Sequence, residues 1–587
     1  MNNLDASTGR RAGLRVLQLV VVALLTAPLM FWNLGSRYLW QDEAATAVLA
    51  KRMLEYGRPL GYDGHNLITM DYPPLHGEPA PPMDSASANI AYFVERGDFR
   101  PDTTWIGQPW GQFVLAASSM GAMGKTTLAA RLPFALCGLL VAVLLWDLAR
   151  QRFRDPAVRA AAILLLLGNV FWVLHMRQCR YYAPASLMLL GTFATYLRWR
   201  DGGRWGLILF VLAGFCLFQS DFGTFWPVIG VLALDSWWSF RGRRFQAAIG
   251  LSTLAAVVAP WVWYYELVGR LKPRIAEFWG SLGTLFYSLN EYQFPVLMLA
   301  ILIPVVIRRR KRGLDSPCET HTVLLAAGVL LAVMAWMPLV TPYPFYRYLV
   351  AVTPLSCLVL AYVCAAAIDL YHRGQASLDM RIAVVLPLAG LLVCTRLMSL
   401  PVNIPIQAAM RLTRPAHKPK PPISLTLFRP ELYALYIDLR DLGSDPNREV
   451  VETLRPMLRP GDAVLINYED IPLMFYTDAD IRGGLSSFRI EDQSGGQPRF
   501  VVMRPQLSVD PKPFFRELAR FTWRRVPVEI IGLPWGNIPD PLYHRARYLT
   551  ADVSHLDIFE AADAKSGGLP FKPPTDEELE PADENLQ

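Results

Sequence analysis

From Leu14 to Leu400 the chain alternates long apolar runs with short polar breaks, and only beyond that point does it change character. Runs of about 20 apolar residues have the length needed to cross a bilayer core. Inside that core the backbone must satisfy its own hydrogen bonds, so each run predicts a helix. The first covers residues 14–32; those that follow lie near 131–149, 158–176, 184–198, 205–220, 224–240, 246–265, 294–307, 321–340, 347–370 and 382–400. The pattern is that of a polytopic α-helical membrane protein with about eleven transmembrane helices. The run from Trp110 to Met123 is shorter and rich in Gly and Ser, which suits an interfacial helix. Residues 41–56 place Ala44, Val48, Leu49 and Met53 at helical spacing among Lys51, Arg52 and Glu55, predicting an amphipathic helix that lies on a surface.

Beyond the last run the pattern shortens. The Pro- and Lys-rich stretch Arg414 to Pro422 reads as a linker. Glu449 to Leu458 predicts a helix, and Asp462 to Asn467 a buried strand after a Pro-Gly turn. Arg499 to Met503 and Val526 to Ile531 predict further strands, so a small soluble α/β domain follows the membrane region. The expected organisation is a membrane domain over 1–409 that includes a long outer loop at 34–128, an α/β domain over 410–564, and an acidic tail over 565–587 whose composition predicts disorder.

Charge supplies the orientation. The 587 residues are 53% hydrophobic and 18% charged, with a net charge of +7. That excess does not point to nucleic acid, because the arginines cluster in the breaks between apolar runs, as membrane orientation requires. Arg10, Arg11 and Arg15 set the N-terminus in the cytoplasm. The clusters Arg150 to Arg159, Arg198 to Arg204, Arg241 to Arg244, Arg308 to Arg312 and Arg373 with Arg381 follow at intervals of two runs. An odd number of spans then puts the C-terminal domain on the extracytoplasmic side. The first run ends in Leu29-Met30-Phe31-Trp32 without a small-residue cleavage pattern, so it reads as an uncleaved helix. No CxxC pair occurs among the seven cysteines, and they signal neither a zinc site nor a disulfide framework.

Candidate chemistry collects at the outer ends of the helices. Asp42 and Glu43 follow the first run directly. Adjacent carboxylates there either act as general base or cation ligand, or sit solvated at the start of a helix. Arg177, Arg180 and Tyr181, in His175-Met176-Arg177-Gln178-Cys179-Arg180-Tyr181-Tyr182, break the positive-inside trend. Arg347, in Tyr343-Pro344-Phe345-Tyr346-Arg347-Tyr348, does the same. These arginines either hold an anionic phosphate head group or snorkel to outer-leaflet lipid. Asp221 reads as a helix cap. Gly124-Lys125-Thr126-Thr127 imitates a phosphate-binding loop, but Ser119 stands where the motif needs glycine and no buried strand precedes it.

Four segments, taken together, resemble the GT-C membrane glycosyltransferases, which include the protein O-mannosyltransferases and the lipid A aminoarabinose transferases. Leu128-Ala129-Ala130-Arg131-Leu132-Pro133-Phe134-Ala135-Leu136-Cys137-Gly138-Leu139-Leu140 is similar to their "aaRLPsalfGll" stretch. Trp40-Gln41-Asp42-Glu43-Ala44 is similar to their first-loop acidic motif, Arg177-Gln178-Cys179-Arg180-Tyr181 to their second-loop arginine motif, and Arg347-Tyr348-Leu349 to a late "R-Y-L". The resemblance covers residues 15–400, in matching order. One departure is Gly107-Gln108-Pro109-Trp110, where the family often has Lys- or His-Pro-Pro-Leu.

The resemblance implies a glycosyltransferase in a bacterial inner or plasma membrane. It would move a sugar from a polyprenyl-phosphate donor to a glycan, lipid or protein acceptor at the outer face, with inversion. Asp42 is then the general base, with Glu43 orienting it or the acceptor. Arg177, Arg180, Tyr181 and Arg347 are then the donor-phosphate site. The implied partners are membrane lipid, the lipid-linked donor and the acceptor, with no nucleic acid. A divalent cation stays open, since no ligand cluster announces one. A lipid-linked glycan polymerase or ligase and a flippase are the alternatives; a flippase needs ionisable groups buried along a mid-membrane path, and the helix interiors carry almost none.

Overall fold

Each apolar run carries a helix, and the break in one of them explains itself. In the computed structural model the described residues are 2–68, 86–240, 243–270, 273–292, 297–314, 316–341, 345–372, 377–397, 399–413, 427–440, 445–484, 497–504, 512–532, 555–563 and 568–571. Among them, five helices are long and apolar enough to cross a membrane: Gly13–Phe31, Thr127–Arg152, Arg244–Tyr264, Pro317–Val340 and Tyr346–Tyr371. The run expected at 158–176 is divided into Pro156–Leu167 and Val170–Met176, bent by 66°. Asn169 caps the second piece by accepting from the Trp172 N–H at 2.8 Å. Gly168 is needed at the bend, because a Cβ there would stand 2.5 Å from a Val393 methyl. The remaining runs are the helices Tyr182–Arg200, Gly206–Ser220, Phe222–Ser239, Leu297–Lys311 and Leu378–Cys394. The protein is an integral membrane protein, mostly helical, with a C-terminal region that contains sheet.

The chain folds as two compact units, Met1–Trp32 with Leu132–Tyr436, and Asn33–Arg131 with Ile437–Gln587. In the first, the 3-10 turn Tyr346–Val352 and helix Thr353–Tyr371 form the centre, buried on all sides. Leu14, Leu17, Leu24 and Leu25 remain exposed, as side chains facing lipid do. Several arginines from different basic clusters converge on shared carboxylates. Arg309 and Arg381 both bind Asp369 at 2.7 Å, and Arg381 also reaches Asp155 at 3.0 Å. Arg15 and Arg150 meet at Asp147, at 2.9 and 3.0 Å. Clusters far apart in sequence therefore gather at common helix ends, which is what alternating orientation demands.

In the second unit the long loop after the first helix belongs with the C-terminal region. Among the described residues the sheet there has seven strands: β1 Ala463–Ile466, β2 Asp480–Gly483, β3 Phe500–Met503, β4 Thr522–Arg525, β5 Ile530–Ile531, β6 His555–Ala561 and β7 Leu569–Pro570. Their order is β2-β1-β3-β6-β4-β7, with β5 on β6; β1, β2 and β3 are parallel and the rest antiparallel. Leu465, Val501, Phe514, Phe515, Leu518 and Trp523 make its core. The strand expected over Val526 to Ile531 is instead two pieces, β4 before it and β5 at its end; Pro527 lacks the N–H that would continue the ladder. The expected linker at 414–422 and most of the acidic tail lie outside the described residues.

Helix Gln41–Tyr56 does not lie on a surface as its pattern predicts. Gln41, Glu43, Ala44, Ala45, Thr46, Ala47, Val48, Leu49, Ala50 and Arg52 are all buried. Its alanines let helices Gly111–Met123 and Asp470–Tyr476 pack close against it. Arg52 is internal because it holds the following loop: it donates to the carbonyls of Leu60 and Gly61 at 2.9 Å and of Asn66 at 2.6 Å, and binds Asp63 at 2.6 Å. Asn66 in turn donates to the Ala479 carbonyl at 3.1 Å and accepts from Ile481 N–H at 2.8 Å, fastening the loop to β2.

Two glycines close the turn after β2. Gly483 and Gly484 have φ of +87° and +91°, and an added Cβ would meet the Ile466 carbonyl oxygen at 2.3 Å or the Asp470 carboxyl carbon at 2.6 Å. Substitution Gly484→Ala should therefore lower stability by roughly 1–3 kcal/mol or more. Thermal unfolding in detergent measures it, with Gly313→Ala, also at positive φ but in open space, as the milder comparison.

Candidate active site

The acidic pair opens helix Gln41–Tyr56, and its two members have different surroundings. Glu43 is completely buried. Its carboxylate takes a two-point contact from Arg131, Nε to Oε1 at 2.8 Å and Nη2 to Oε2 at 2.6 Å. Arg131 also donates to the carbonyls of Leu34 at 3.1 Å, Arg37 at 2.9 Å and Tyr38 at 3.3 Å. The arginine of the Leu128 to Leu140 stretch thus neutralises Glu43 and organises the chain leading into the motif. Asp42 is only half-buried. Of the pair, Asp42 is the more exposed carboxylate.

Around the Asp42 segment the C-terminal region supplies an unexpected set of polar groups. Asn467, Tyr468, Glu469 and Asp470 follow β1, and Arg504 follows β3, at the carboxyl ends of parallel strands, where α/β sheets commonly carry their chemistry. Burial pushes the Glu469 carboxyl up to about 7, with the charges of Asp470 and Asp42 acting in the same sense against Arg504 and a bond from Asn447. Burial likewise raises the Tyr476 phenol, whose oxygen lies 2.6 Å from the Thr127 hydroxyl. None of these residues is singled out by the sequence reading. Polar residues packed directly behind a buried strand are the signal that marks them.

The arginine motifs belong to the other unit. Arg177 donates to the carbonyls of Leu29 and Trp32, both at 2.6 Å, and so closes the C-terminal end of the first helix. Arg180 is buried and lies over the Tyr181 ring, 5.7 Å from its centroid. Arg347 lies 4.4 Å from the Phe345 centroid. The 3-10 turn that carries Arg347 packs against helices Val170–Met176 and Tyr182–Arg200, which flank Arg180 and Tyr181. Burial raises the Tyr181 phenol; Tyr182, Tyr348 and Asp221 add to this and Arg180 opposes it. So the turn that carries the late motif packs against the helices on either side of the second-loop motif. Asp221 caps helix Phe222–Ser239, accepting from Gly223 N–H at 2.9 Å and from the Thr224 hydroxyl, the cap role expected of it.

Gly124, in the decoy phosphate loop, ends helix Gly111–Met123, and Lys125 is paired with Glu55. Among the described residues, no group of three His, Cys, Asp or Glu side chains is set to hold a metal ion, and all seven cysteines are free.

The family profile described as Dolichyl-phosphate-mannose-protein mannosyltransferase matches residues 108–264, a span that includes Arg131 and the Arg177 to Tyr181 segment. No curated protein matches the chain by sequence. Two solved structures of ArnT from Cupriavidus metallidurans share the fold. The one bound to undecaprenyl phosphate has a TM-score of 0.51 and 14% identity, over 94% of this chain and 99% of that one. The apo state has a TM-score of 0.52 and 14% identity, over 96% and 99%. The chain therefore shares the fold of these ArnT structures, and its residues 108–264 are similar to the mannosyltransferase profile.

Two outcomes follow from these geometries. Breaking the Glu43 pair with Arg131→Met strands a buried carboxylate and should cost on the order of 3–5 kcal/mol; thermal unfolding and folded yield in detergent measure it. Glu469 holds a proton in the folded state that the unfolded chain, with a carboxyl near 4.5, has released. Between that value and about 7 the unfolded state binds fewer protons, so this group makes stability fall as pH rises. Glu469→Gln should flatten the decline in apparent Tm from pH 5 to 8. An unchanged slope would show that Glu469 titrates normally.

Proposed function

We propose that the protein transfers a sugar from a polyprenyl-phosphate donor to an acceptor at the outer face of the membrane, inverting the anomeric centre. The observation that carries this reading is the packing, within one unit, of the 3-10 turn that carries Arg347 against the two helices that flank Arg180 and Tyr181. Planar guanidinium groups match phosphate geometry, and burial strengthens their hold on a leaving phosphate. A donor anchored in lipid explains why phosphate-directed arginines stand at helix ends rather than in a nucleotide-binding domain. The likeness in fold to ArnT, whose structure holds undecaprenyl phosphate, supports the same donor class.

In this reading Asp42 accepts the proton of the acceptor hydroxyl as its oxygen attacks the anomeric carbon. The bond from that carbon to the phosphate oxygen breaks, and the departing polyprenyl phosphate carries its negative charge onto Arg180 and Arg347. Glu43 supports Asp42 through its fixed pairing with Arg131, and Arg177 supports the first helix rather than the phosphate. The basic clusters put the N-terminus in the cytoplasm and the C-terminal region outside.

The test is transfer by purified protein in liposomes from a polyprenyl-phosphate sugar, with lipid extracts of a deletion strain compared by mass to identify the product. Asp42→Asn keeps size and most hydrogen bonding but cannot take the proton, so kcat should fall by roughly 10² or more while donor binding persists. Near-normal turnover removes Asp42 as the base. Arg180→Lys and Arg347→Lys should each impair transfer, because an ammonium does not reproduce two-point phosphate contact. If both variants keep parental rates and donor affinity, the arginines serve lipid contact instead.

A further inference from the structure

The segment that leads into Asp42 is held at nearly every residue by the C-terminal α/β region. Tyr38 N–H donates to the Asp445 carboxylate at 2.7 Å, and the Tyr38 ring stacks on Tyr476 at 3.9 Å. Leu39 N–H donates to the Tyr476 hydroxyl at 2.9 Å. The Gln41 amide donates to Asp470 at 2.6 Å and accepts from Ile471 N–H at 3.3 Å. Asn447 completes the set. It donates to the Leu39 carbonyl and to Glu469 Oε2, both at 2.9 Å, while its own oxygen accepts from Arg504 at 2.5 Å.

We propose that Asn447 is a positioning residue for Asp42, and that through it the C-terminal α/β region sets the place of the acidic motif. This rests on Asp42 acting as the base. Only a primary amide can do what Asn447 does, since the site asks for two N–H donors and one acceptor on a single short side chain. A carboxylate offers no donors there and an aliphatic side chain offers nothing. All of these groups are shielded from water: Asn447 is 1% exposed, Glu469 2% and Arg504 7%. In such surroundings an unmet partner is costly, and a satisfied network holds one geometry.

Glu469, the acceptor of one of these bonds, is itself fixed. Its backbone sits in the left-handed region, φ +61°, which a non-glycine residue adopts only where its surroundings insist, so the carboxylate that Asn447 meets stands in one place.

Asn447→Asp tests the positioning. It nearly preserves shape and removes both donors. Hydrogen exchange of the full-length protein should quicken in the peptide spanning Tyr38 to Val48. In the liposome assay, kcat should fall about 10-fold or more while the donor KM stays within about twofold, as misplacement of a reacting group demands. Parental kcat, or parental exchange in that peptide, overturns the proposal. Should the variant fail to fold, Asn447→Ser, which loses one of the two donors without adding a charge, should quicken exchange in the same peptide, and parental exchange there overturns the proposal. If the parent transfers no sugar from a polyprenyl-phosphate donor while Asn447→Asp still quickens exchange, the functional reading falls and the positioning stands.

Discussion

A carboxylate and a guanidinium buried together, Glu43 and Arg131, are the constraint on which the acidic motif depends. Net stabilisation from such a pair is small, since desolvation takes back most of the attraction. Its value is in exclusion. With Glu43 fully internal, the first turn of helix Gln41–Tyr56 has one acceptable rotation about its axis, and that rotation leaves Asp42 at the half-buried edge. Arg131 extends the constraint backwards by taking three main-chain carbonyls between Leu34 and Tyr38. One guanidinium therefore fixes both the side chain that must stay inert and the path of the chain into its neighbour.

The arginines elsewhere divide in a similar way. Arg177 and Arg180 are three residues apart, yet one is consumed by the carbonyls that end the first helix while the other is packed with Tyr181. A helix that ends at the membrane surface leaves carbonyls without partners, and a cation there satisfies them at short range. Proximity in sequence is thus a poor guide to shared work. The same holds at the opposite helix ends, where Asp147 and Asp369 each gather two arginines from separate breaks.

The membrane helices were legible because hydropathy over a span is a sum of many residues, which single exceptions do not spoil. The bend at Gly168 and Asn169 was not, since the close packing that requires glycine there comes from Val393, more than two hundred positions away. Helix Gln41–Tyr56 was placed correctly in the chain and wrongly on a surface: its alanines carry little apolar area, so burial by close approach leaves a weak periodic signal. That Asp42 and Glu43 follow the first membrane run is read directly from the sequence. The burial of Glu43 is not, because its partner is 88 residues distant. Asn447, Glu469 and Arg504 were missed for a related reason: each is an ordinary polar residue until the fold brings the ends of β1 and β3 beside the start of helix Pro446–Leu454.

The second unit is discontinuous, built from residues 33–131 and 437–587. The bond between Gln41 and Asp470 joins residues 429 apart in the chain. At about 5–20 residues per second, translation separates the emergence of these halves by roughly 20–80 seconds. During that interval the growing chain already contains Arg131 to neutralise Glu43, but neither Asp445, Asn447 nor Asp470 to hold the turn before Asp42. The acidic motif is among the first features made and among the last to be set. Synthesis of the C-terminal strands is then the event that completes it, and a chain arrested after its membrane helices carries the motif without its supports.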